Sequence, residues 1–357
     1  MERSDLEKIL AAAVRAPSGE NCQPWRFVSQ GPVLFIYNIP ERDRSPYNFH
    51  QLGSLVSHGA VIENIVIAAS TLGYEVAVAL FPLPAEPDCT AKLVFDRHSG
   101  GIKSDPLYEN IFLRASNRTP YEAGHTIEER AKDRLLGCVE ECSIPARVVL
   151  VEDENRKKVI GDAMSYGDRL LFENRAIHDF LFGHIYWTLD EVSKKRSGFY
   201  VKELALTPPQ EFVFKLLKKE WIRRLLAGIG MPAVAAKENA RLYAGSSALG
   251  AVITKGSAPA DFIEGGRLLE RFWLSATATG YDVQLITAIS FFKQRISGNE
   301  AEDFSKDQID GISASYAFLQ KEFDVRDDTV TIMFRIGKGK PLPHRSLRLD
   351  PIVEYRT

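Results

Sequence analysis

An internal repeat constrains the fold of this chain more than any other feature. Residues 59–76 match residues 266–283 at an offset of 207 positions. The identical pairs are Gly59/Gly266, Glu63/Glu270, Ala69/Ala276, Gly73/Gly280, Tyr74/Tyr281 and Val76/Val283. Two amphipathic helices that each end in glycine can look alike by chance, but the shared ending of glycine, tyrosine, an acid and valine favours duplication. The sequence therefore predicts two copies of one helix-and-strand unit in a single chain.

Apolar spacing predicts the secondary structure of each copy. The first copy should contain helices over residues 5–14 and 55–72 and strands over 33–37, 75–81 and 91–95. The second should contain helices over residues 155–175 and 178–193, the repeated helix, and strands over 146–151, 249–254 and 330–336. We place the first unit at residues 1–110 and the second at residues 111–357.

Residues 198–244 read as an insertion in the second unit. They include Pro208-Pro209 and a basic amphipathic stretch over residues 212–226, which predicts a helix. Such a helix can lie on a membrane surface, cover a site or pack on its own domain. Because nothing else in the sequence indicates a membrane, we favour packing or covering and expect no membrane partner.

Composition excludes several classes of protein. The 357 residues carry 45 basic and 47 acidic side chains, so no global positive field would recruit nucleic acid. Cys22, Cys89, Cys138 and Cys142 lack the spacing of a metal site and read as reduced thiols, the last two as neighbours on one helix. The N-terminus lacks the apolar core of a signal peptide, and we see no stretch of about 18 apolar residues that could span a membrane. We therefore expect a cytoplasmic protein.

The first of three informative motifs lies at residues 15–27. Pro17, Gly19 and Pro24 break regular structure after the first helix, which predicts a loop. Ser18, Asn21 and Gln23 add hydrogen-bonding groups to it, beside the aromatic Trp25. From composition alone this stretch is a polar turn.

The second motif lies at residues 112–121. Arg114 and Arg118 flank Ser116 and Asn117. If a helix begins here, its first backbone N–H groups and the arginines could meet a phosphate. The alternative is a solvated basic helix start.

The third motif lies at residues 336–348, after the last predicted strand. It contains a cluster of basic side chains: Lys338, Lys340, His344, Arg345 and Arg348. The cluster suits an anion site, although a flexible basic tail would look similar.

Taken together, the motifs resemble those of the FMN-dependent nitroreductase family, and the two-unit arrangement resembles its fused, Acg-type branch. The first is similar to the family's Pro-Ser-x-x-Asn-x-Gln-Pro-Trp loop and the second to its Arg-x-Ser-x-Arg opening. The third is similar to the strand, glycine and terminal arginines that close the fold. The resemblance implies an α+β nitroreductase-like fold duplicated in one chain, an intrachain pseudo-dimer with central antiparallel sheets flanked by helices.

The resemblance also implies FMN as the cofactor and assigns residues to it. Arg114, Ser116 and either Arg345 or Arg348 would hold the phosphate, and Arg118 would lie near the flavin N1/O2 edge, where a cation stabilises reduced flavin. The other implied contacts are Pro17, Ser18, Gly19, Asn21, Ala115, Leu285, Ile286 and Thr287. The family has a loop here whose backbone N–H meets flavin N5, and Thr287 and Ala288 replace its usual acid-glycine pair. Thr287 is the candidate catalytic position. No metal is implied.

Counting the parts predicts a single site in each chain. Family members are usually homodimers with two FMN sites at the interface, whereas each part of the site occurs here only once. The loop at residues 17–25 belongs to the first unit, and Arg114 and the terminal arginines belong to the second. We therefore expect one composite site, in a monomeric pseudo-dimer or a higher homo-oligomer.

The resemblance implies an oxidoreductase in which FMN takes hydride from NADH or NADPH at N5 and reduces a nitroaromatic, quinone or similar flat acceptor. The protein would position and tune the flavin. An alternative is a stress-related or sequestering protein that keeps FMN under a lid formed by residues 198–244, with little NAD(P)H turnover. A scaffold that binds no flavin is the third possibility.

Overall fold

The computed structural model describes residues 1–97, 102–140 and 142–356. The elements up to residue 113 are α1 (Arg3–Ala13), β1 (Trp25–Gln30), β2 (Val33–Asn38), α2 (Leu52–Thr71), β3 (Tyr74–Leu80), β4 (Cys89–Arg97) and α3 (Tyr108–Leu113). The elements from there to residue 244 are α4 (Glu129–Glu140), β5 (Ala146–Val151), α5 (Glu154–Glu173), α6 (Arg175–Gly183), β6 (Ile185–Tyr186), α7 (Leu189–Lys195), β7 (Phe199–Tyr200), α8 (Pro208–Leu216), α9 (Glu220–Gly228) and α10 (Met231–Ala244). The remaining elements are β8 (Ala248–Thr254), α11 (Pro259–Ala278), β9 (Asp282–Ile286), α12 (Ala288–Ser297), α13 (Lys306–Glu322), β10 (Thr329–Gly337) and β11 (Val353–Arg356).

Two sheets repeat one topology. The strand order is β1-β2-β4-β3 in the N-terminal sheet and β5-β8-β10-β9 in the C-terminal sheet. Every neighbouring pair within these two sets of four strands is antiparallel. A 20-residue helix occupies the equivalent position in both sets: α2 connects β2 to β3, and α11 connects β8 to β9. The duplication inferred from the repeat is therefore also present in the connectivity.

The copies differ in their connections. A tight turn joins β1 to β2, whereas the equivalent link from β5 to β8 contains six helices, α5 to α10. The last strand, β11, leaves the C-terminal half and pairs with β1 in parallel, with Phe27 opposite Val353. This parallel pair is an exception to the predicted antiparallel sheets, and it ties the end of the chain to the N-terminal sheet.

The repeated glycines lie where α2 and α11 cross. A Cβ atom placed on Gly59 would lie 2.0 Å from the carbonyl oxygen of Ile263, and one on Gly266 would lie 2.0 Å from that of Val56. Ile263 and Val56 are themselves separated by the repeat offset of 207. The two contacts are thus equivalent, as expected where two copies of one helix cross about a pseudo-two-fold axis, and only glycine permits this approach. Packing in the core explains why both copies carry this glycine.

The central helix α2 is buried and apolar on nearly all sides. The stretch Phe49–Thr71 is long and apolar enough to cross a membrane, contrary to the expectation from sequence. However, 89% of its most apolar window is buried inside the fold, between the N-terminal sheet and α11. A helix that is apolar all round is typical of the centre of a large core as well as of a membrane span.

Several local predictions require correction. The predicted helix over residues 178–193 is interrupted after Gly183 by the short strand β6. The predicted basic helix over residues 212–226 is broken at Lys219, whose extended backbone (φ −92°, ψ 115°) separates α8 from α9. Cys142 lies beyond the end of α4, so it does not share a helix with Cys138. Helical spacing continues across these interruptions, so periodicity alone could not locate them.

Candidate functional site

A cavity of ≈380 Å³ lies between the two halves of the chain. All thirteen residues that the family resemblance implies line it. The loop that follows α1 and the start of α2 form one side, and the segment after α3, the end of β9 and the C-terminal segment form the other. The fold therefore brings the three sequence motifs together in a single composite site.

The loop after α1 is tightly wound and fixed by its own polar side chains. Glu20, Asn21 and Gln23 have positive φ angles of 42°, 53° and 52°, a conformation that costs energy for side chains other than glycine. The Ser18 hydroxyl accepts from the Gln23 N–H at 3.0 Å. Pro17, Ser18, Gly19 and Asn21 thereby reach the cavity wall.

Asn21 and Gln23 also connect this loop to the C-terminal segment. The Asn21 amide donates to the Leu347 carbonyl at 2.9 Å and its oxygen accepts from Arg348 at 2.8 Å. The Gln23 oxygen accepts from the Leu349 N–H at 2.7 Å. Two polar residues of the motif thus hold the two halves together at the site. The sequence indicated Gln23 as a hydrogen-bonding group but not its partner in the C-terminal segment.

His58 of α2 anchors the end of the loop. Its Nε2 lies 3.0 Å from the Pro24 carbonyl oxygen and its Nδ1 lies 2.8 Å from the Thr90 hydroxyl. The side chain is fully buried. Burial lowers the pKa of His58 from 6.5 to about 4. The imidazole is therefore neutral at pH 7, with Nε2–H donating to Pro24.

This histidine should make stability depend on pH. Between pH 6.5 and about 4 the unfolded chain binds a proton that folded His58 does not, so the free energy of unfolding falls as the pH falls. The expected loss reaches about 3 kcal/mol near pH 4, since one pKa unit corresponds to about 1.36 kcal/mol. Urea unfolding of wild type and His58→Gln across this range measures it. The advantage of wild type over the variant should shrink as the pH falls, and parallel curves would exclude this role.

The segment that contains Arg114 and Arg118 does not begin a helix. The helix start that the sequence analysis considered as a phosphate site is therefore not present. Arg114 directly follows the last residue of α3 and is already extended (φ −61°, ψ 132°). Ser116 forms an isolated parallel bridge with Val283 of β9, and the Asn117 N–H donates to the Val283 carbonyl at 3.2 Å. The segment runs beside the C-terminal sheet, which brings Arg114, Ala115, Ser116 and Arg118 to the cavity.

Arg114 lies in the buried end of the cavity wall. Its Nε is 3.1 Å from Glu270 Oε1, and its guanidinium carbon lies 4.6 Å from the Trp273 ring centroid. Burial lowers the pKa of Arg114 and raises that of Glu270. The pair lies inside the fold, where removal of one partner leaves a buried unpaired charge. Arg114 therefore has a structural role in addition to its position at the cavity.

The C-terminal arginines approach the same end. Burial and the nearby charges of Arg114 and Arg15 lower the pKa of Arg348 to about 9. Among the described residues, no hydrogen-bond acceptor meets the buried Nε of Arg348. Arg345 also lines the cavity and donates to the Phe112 carbonyl at 3.2 Å. Arg15, Arg114, Arg345 and Arg348 thus converge at this end of the cavity. Glu270 is the acid beside Arg114, and the four arginines create a local excess of positive charge.

Leu285, Ile286 and Thr287 lie where β9 ends and α12 begins. Ile286 is the last residue of the strand and is paired with Met333 of β10. Thr287 is the N-cap of α12 and, like the two residues before it, lines the cavity. The backbone here is therefore held by a strand on one side and a helix on the other.

The cavity also has acidic groups that sequence reasoning did not assign to it. Burial and the charge of Asp43 raise the pKa of Glu20 to about 8. Burial raises the pKa of Asp168 to about 6, and its carboxylate accepts from the Tyr243 hydroxyl at 2.7 Å. Glu20 lies inside the first motif, so its place in the sequence could have indicated that it belongs to the site. Asp168 and Tyr243 lie on α5 and α10 and are brought together only by tertiary packing.

The long connection between β5 and β8 forms one wall of the cavity. Phe199, Glu203, Leu204 and Tyr243 face the cavity from it. The guanidinium carbon of Arg118 lies 5.0 Å from the Phe199 ring centroid. The segment predicted as an insertion therefore contributes directly to the site.

The pseudo-symmetric position is filled by an ionic network. The repeat offset makes Glu264 the counterpart of the cavity residue Ser57. Glu264 pairs with Arg267 at 3.1 Å, and Arg267 and Arg271 both pair with Glu63, at 3.3 and 2.6 Å. Charged side chains thus occupy this face of the helix pair, and one site per chain remains a prediction.

Comparisons with known proteins place this geometry in context. No family model matches the chain. An uncharacterised protein of Mycobacterium tuberculosis strain CDC 1551, MT1398, is 26% identical over 354 residues, which cover 95% of this chain and 48% of that protein. The putative NAD(P)H nitroreductase acg of M. tuberculosis is 28% identical over 119 residues, which cover 32% of this chain and 35% of that protein. The chain spans about half, or less, of the length of these relatives.

Two solved structures are also similar. One is the FMN-dependent nitroreductase NfnB from Mycobacterium smegmatis in complex with NADPH, with 11% identity, a TM-score of 0.35, and coverage of 66% of this chain and 92% of that one. The other is oxidised iodotyrosine deiodinase bound to FMN and 3-iodo-L-tyrosine, with 14% identity, a TM-score of 0.39, and coverage of 70% and 99%.

The resemblance indicated by the motifs is confirmed at the level of class. The chain is similar in sequence to nitroreductase-like proteins. The predicted α+β architecture, with one unit duplicated in the chain, is confirmed, and the two sheets repeat the same strand order. The relatives of the chain in sequence include the Acg-like proteins of M. tuberculosis.

Proposed function

We propose that the chain binds one FMN molecule in the cavity between its two halves and uses it as an NAD(P)H-dependent oxidoreductase acting on a nitroaromatic, quinone or similar flat acceptor. The observation that carries the proposal is the convergence of all thirteen motif-derived residues on one cavity. The names of an Acg-type relative and of an FMN- and NADPH-associated structural neighbour are consistent with it.

The residues present fit FMN. The excess of arginine at one end needs an anion, and the unpaired Nε of Arg348 offers a donor to it. Burial, together with the charges of Arg114 and Arg15, lowers the pKa of Arg348 to about 9, and a phosphate there would offset those charges. At the other end, apolar and aromatic side chains such as Phe199 and Leu204 form a wall against which a flat ring system can pack.

Each part of the site then has a task. Arg345 and Arg348 hold the phosphate, Arg114 supports this end from its pair with Glu270, and Arg118 supplies positive charge toward the ring system. The loop at Pro17 and Ser18 packs against the ligand, and the backbone at Thr287 orients it. When bound, FMN supplies hydride transfer.

Glu20 should make FMN affinity depend on pH. With a pKa of about 8, its carboxyl is largely neutral at pH 7 and ionised at pH 9, where its negative charge opposes an anionic ligand. We expect the FMN affinity of wild type to fall about three- to tenfold between pH 7 and pH 9 relative to Glu20→Gln. Fluorescence titration measures the FMN affinity of both proteins at each pH. Any titration of the FMN phosphate affects both proteins equally, so it cancels in the ratio of the two affinities. Equal pH profiles would exclude this effect.

An anaerobic absorbance experiment tests the proposed activity. The purified chain is incubated with FMN, freed of excess ligand and mixed with NADPH or NADH, then with menadione or a nitroarene. The proposal expects flavin absorbance that nicotinamide bleaches and the acceptor restores. A protein that retains no flavin would contradict both the binding and the activity.

A second candidate function is FMN sequestration. The wall that Phe199, Glu203, Leu204 and Tyr243 build favours it, because a covered ring system has little space for a nicotinamide. Flavin absorbance that resists NADPH and NADH but falls with dithionite would favour this function over the oxidoreductase.

A further inference from the structure

Helix α9 presents its apolar face to solvent. Trp221, Leu225 and Ile229 are spaced four residues apart, so they lie on one face of the helix and its end. Their exposed fractions are 64%, 57% and 69%. A helix that packs on a globular domain normally turns this stripe inward.

The opposite side of the same helix is buried and charged. Arg223 is 7% exposed, donates to the Phe172 carbonyl at 2.7 Å and pairs with Glu220 at 2.7 Å. These bonds fix α9 to the end of α5 with its apolar stripe outward. The orientation is thus set by specific contacts.

The helices before and after α9 in the chain expose further apolar side chains. Phe212 of α8 and Val234 of α10 are 65% and 54% exposed. By contrast, Pro232, Ala236, Ala240 and Tyr243 of α10 are buried. The expectation that this segment packs on its own domain therefore holds for α10, while α8 and α9 leave large apolar side chains uncovered.

The charge of this surface indicates what covers it. Residues 208–237 contain six lysines and arginines and two glutamates, a net charge of +4, in a chain whose net charge is −2. Lys215, Lys218, Lys219 and Arg224 are exposed beside the apolar stripe. An exposed tryptophan and aliphatic residues flanked by cations are typical of segments that lie in the interface of an anionic bilayer.

We propose that the apolar stripe of α9 (Trp221, Leu225 and Ile229), together with the exposed lysines of residues 208–237, docks the chain on anionic lipid membranes. The apolar side chains enter the headgroup boundary and the cations contact lipid phosphates. This proposal departs from the expectation of no membrane partner drawn from the sequence, because the exposure of the α9 stripe was not visible there. Docking requires no spanning segment and is independent of FMN binding.

Vesicle binding of the full chain tests the proposal. The probes are vesicles of phosphatidylcholine alone and with about 30% phosphatidylglycerol. We expect co-sedimentation with the anionic vesicles, a blue shift of the Trp221 fluorescence, and weakening at high salt. The triple variant Trp221→Ser/Leu225→Ser/Ile229→Ser and the double variant Lys215→Glu/Lys219→Glu should each bind about tenfold more weakly or worse.

Val159→Ser/Ile352→Ser is the matched control, because it removes two exposed apolar side chains from other parts of the surface. It should bind vesicles as wild type does. Absence of binding to anionic vesicles, or equal binding to neutral ones, would overturn the proposal. So would a dimer in solution, by light scattering, that the triple variant dissociates, because a second copy would then cover this surface. All substituted residues are exposed, and circular dichroism verifies that each variant is folded.

Discussion

Gly266→Ala should lower the free energy of unfolding by about 3 kcal/mol or more. The new methyl group would lie 2.0 Å from the Val56 carbonyl oxygen. It is bonded directly to the backbone of one central helix and the oxygen belongs to the backbone of the other, so neither can move without its helix. Gly59→Ala should cost a similar amount because its contact with Ile263 is equivalent. Urea unfolding followed by circular dichroism measures both effects.

Gly137→Ala is the matched control. Gly137 also lies within a helix, α4, but a Cβ atom there meets nothing within 4 Å among the residues that the structure describes. Replacing it should stabilise the chain by about 0.5–1 kcal/mol, because alanine has the higher helix propensity. If Gly266→Ala behaved like Gly137→Ala, the close crossing of α2 and α11 would be wrong.

Arg348→Gln should reduce FMN affinity by about 10- to 100-fold, the value of one or two charge-assisted hydrogen bonds to phosphate. Riboflavin has the same ring system without the phosphate, so its affinity should change little. The ratio of the two affinities, from fluorescence titration, therefore isolates the phosphate contact from any general damage to the cavity. Arg348 is preferable to Arg114 for this test because Arg114 also neutralises buried Glu270.

Arg326→Gln is the control for this experiment, since Arg326 is exposed and does not line the cavity. It should bind both ligands as wild type does. A parallel loss of FMN and riboflavin affinity in Arg348→Gln would place the phosphate elsewhere.

Most of the predictions about the fold came from the repeat, and most of the predictions about the site came from the three motifs. Gly59 and Gly266 are visible in sequence because close packing of two helices requires the same small residue at both equivalent positions. The cavity residues near Pro17 and Arg114 are visible because they lie in short local motifs. Short motifs and repeated residues can be recognised from the sequence alone, without knowledge of the tertiary contacts.

Other features depend on long-range contacts and could not be predicted. Asp168 and Tyr243 are 75 positions apart and meet only because α10 packs on α5. The parallel pairing of β11 with β1 joins the two ends of the chain, and nothing in the residues of β11 specifies that partner. Lys219 separates α8 from α9, whereas periodicity suggested one continuous helix. The division at residues 110 and 111 remains a prediction.

Calorimetric titration of the chain with FMN, with light scattering to count chains, tests the central claim most directly. The account predicts saturation at one FMN per chain, because the site parts occur once and the pseudo-symmetric position is filled by the network around Glu63, Arg267 and Arg271. Two FMN molecules per chain, or no binding, would contradict it.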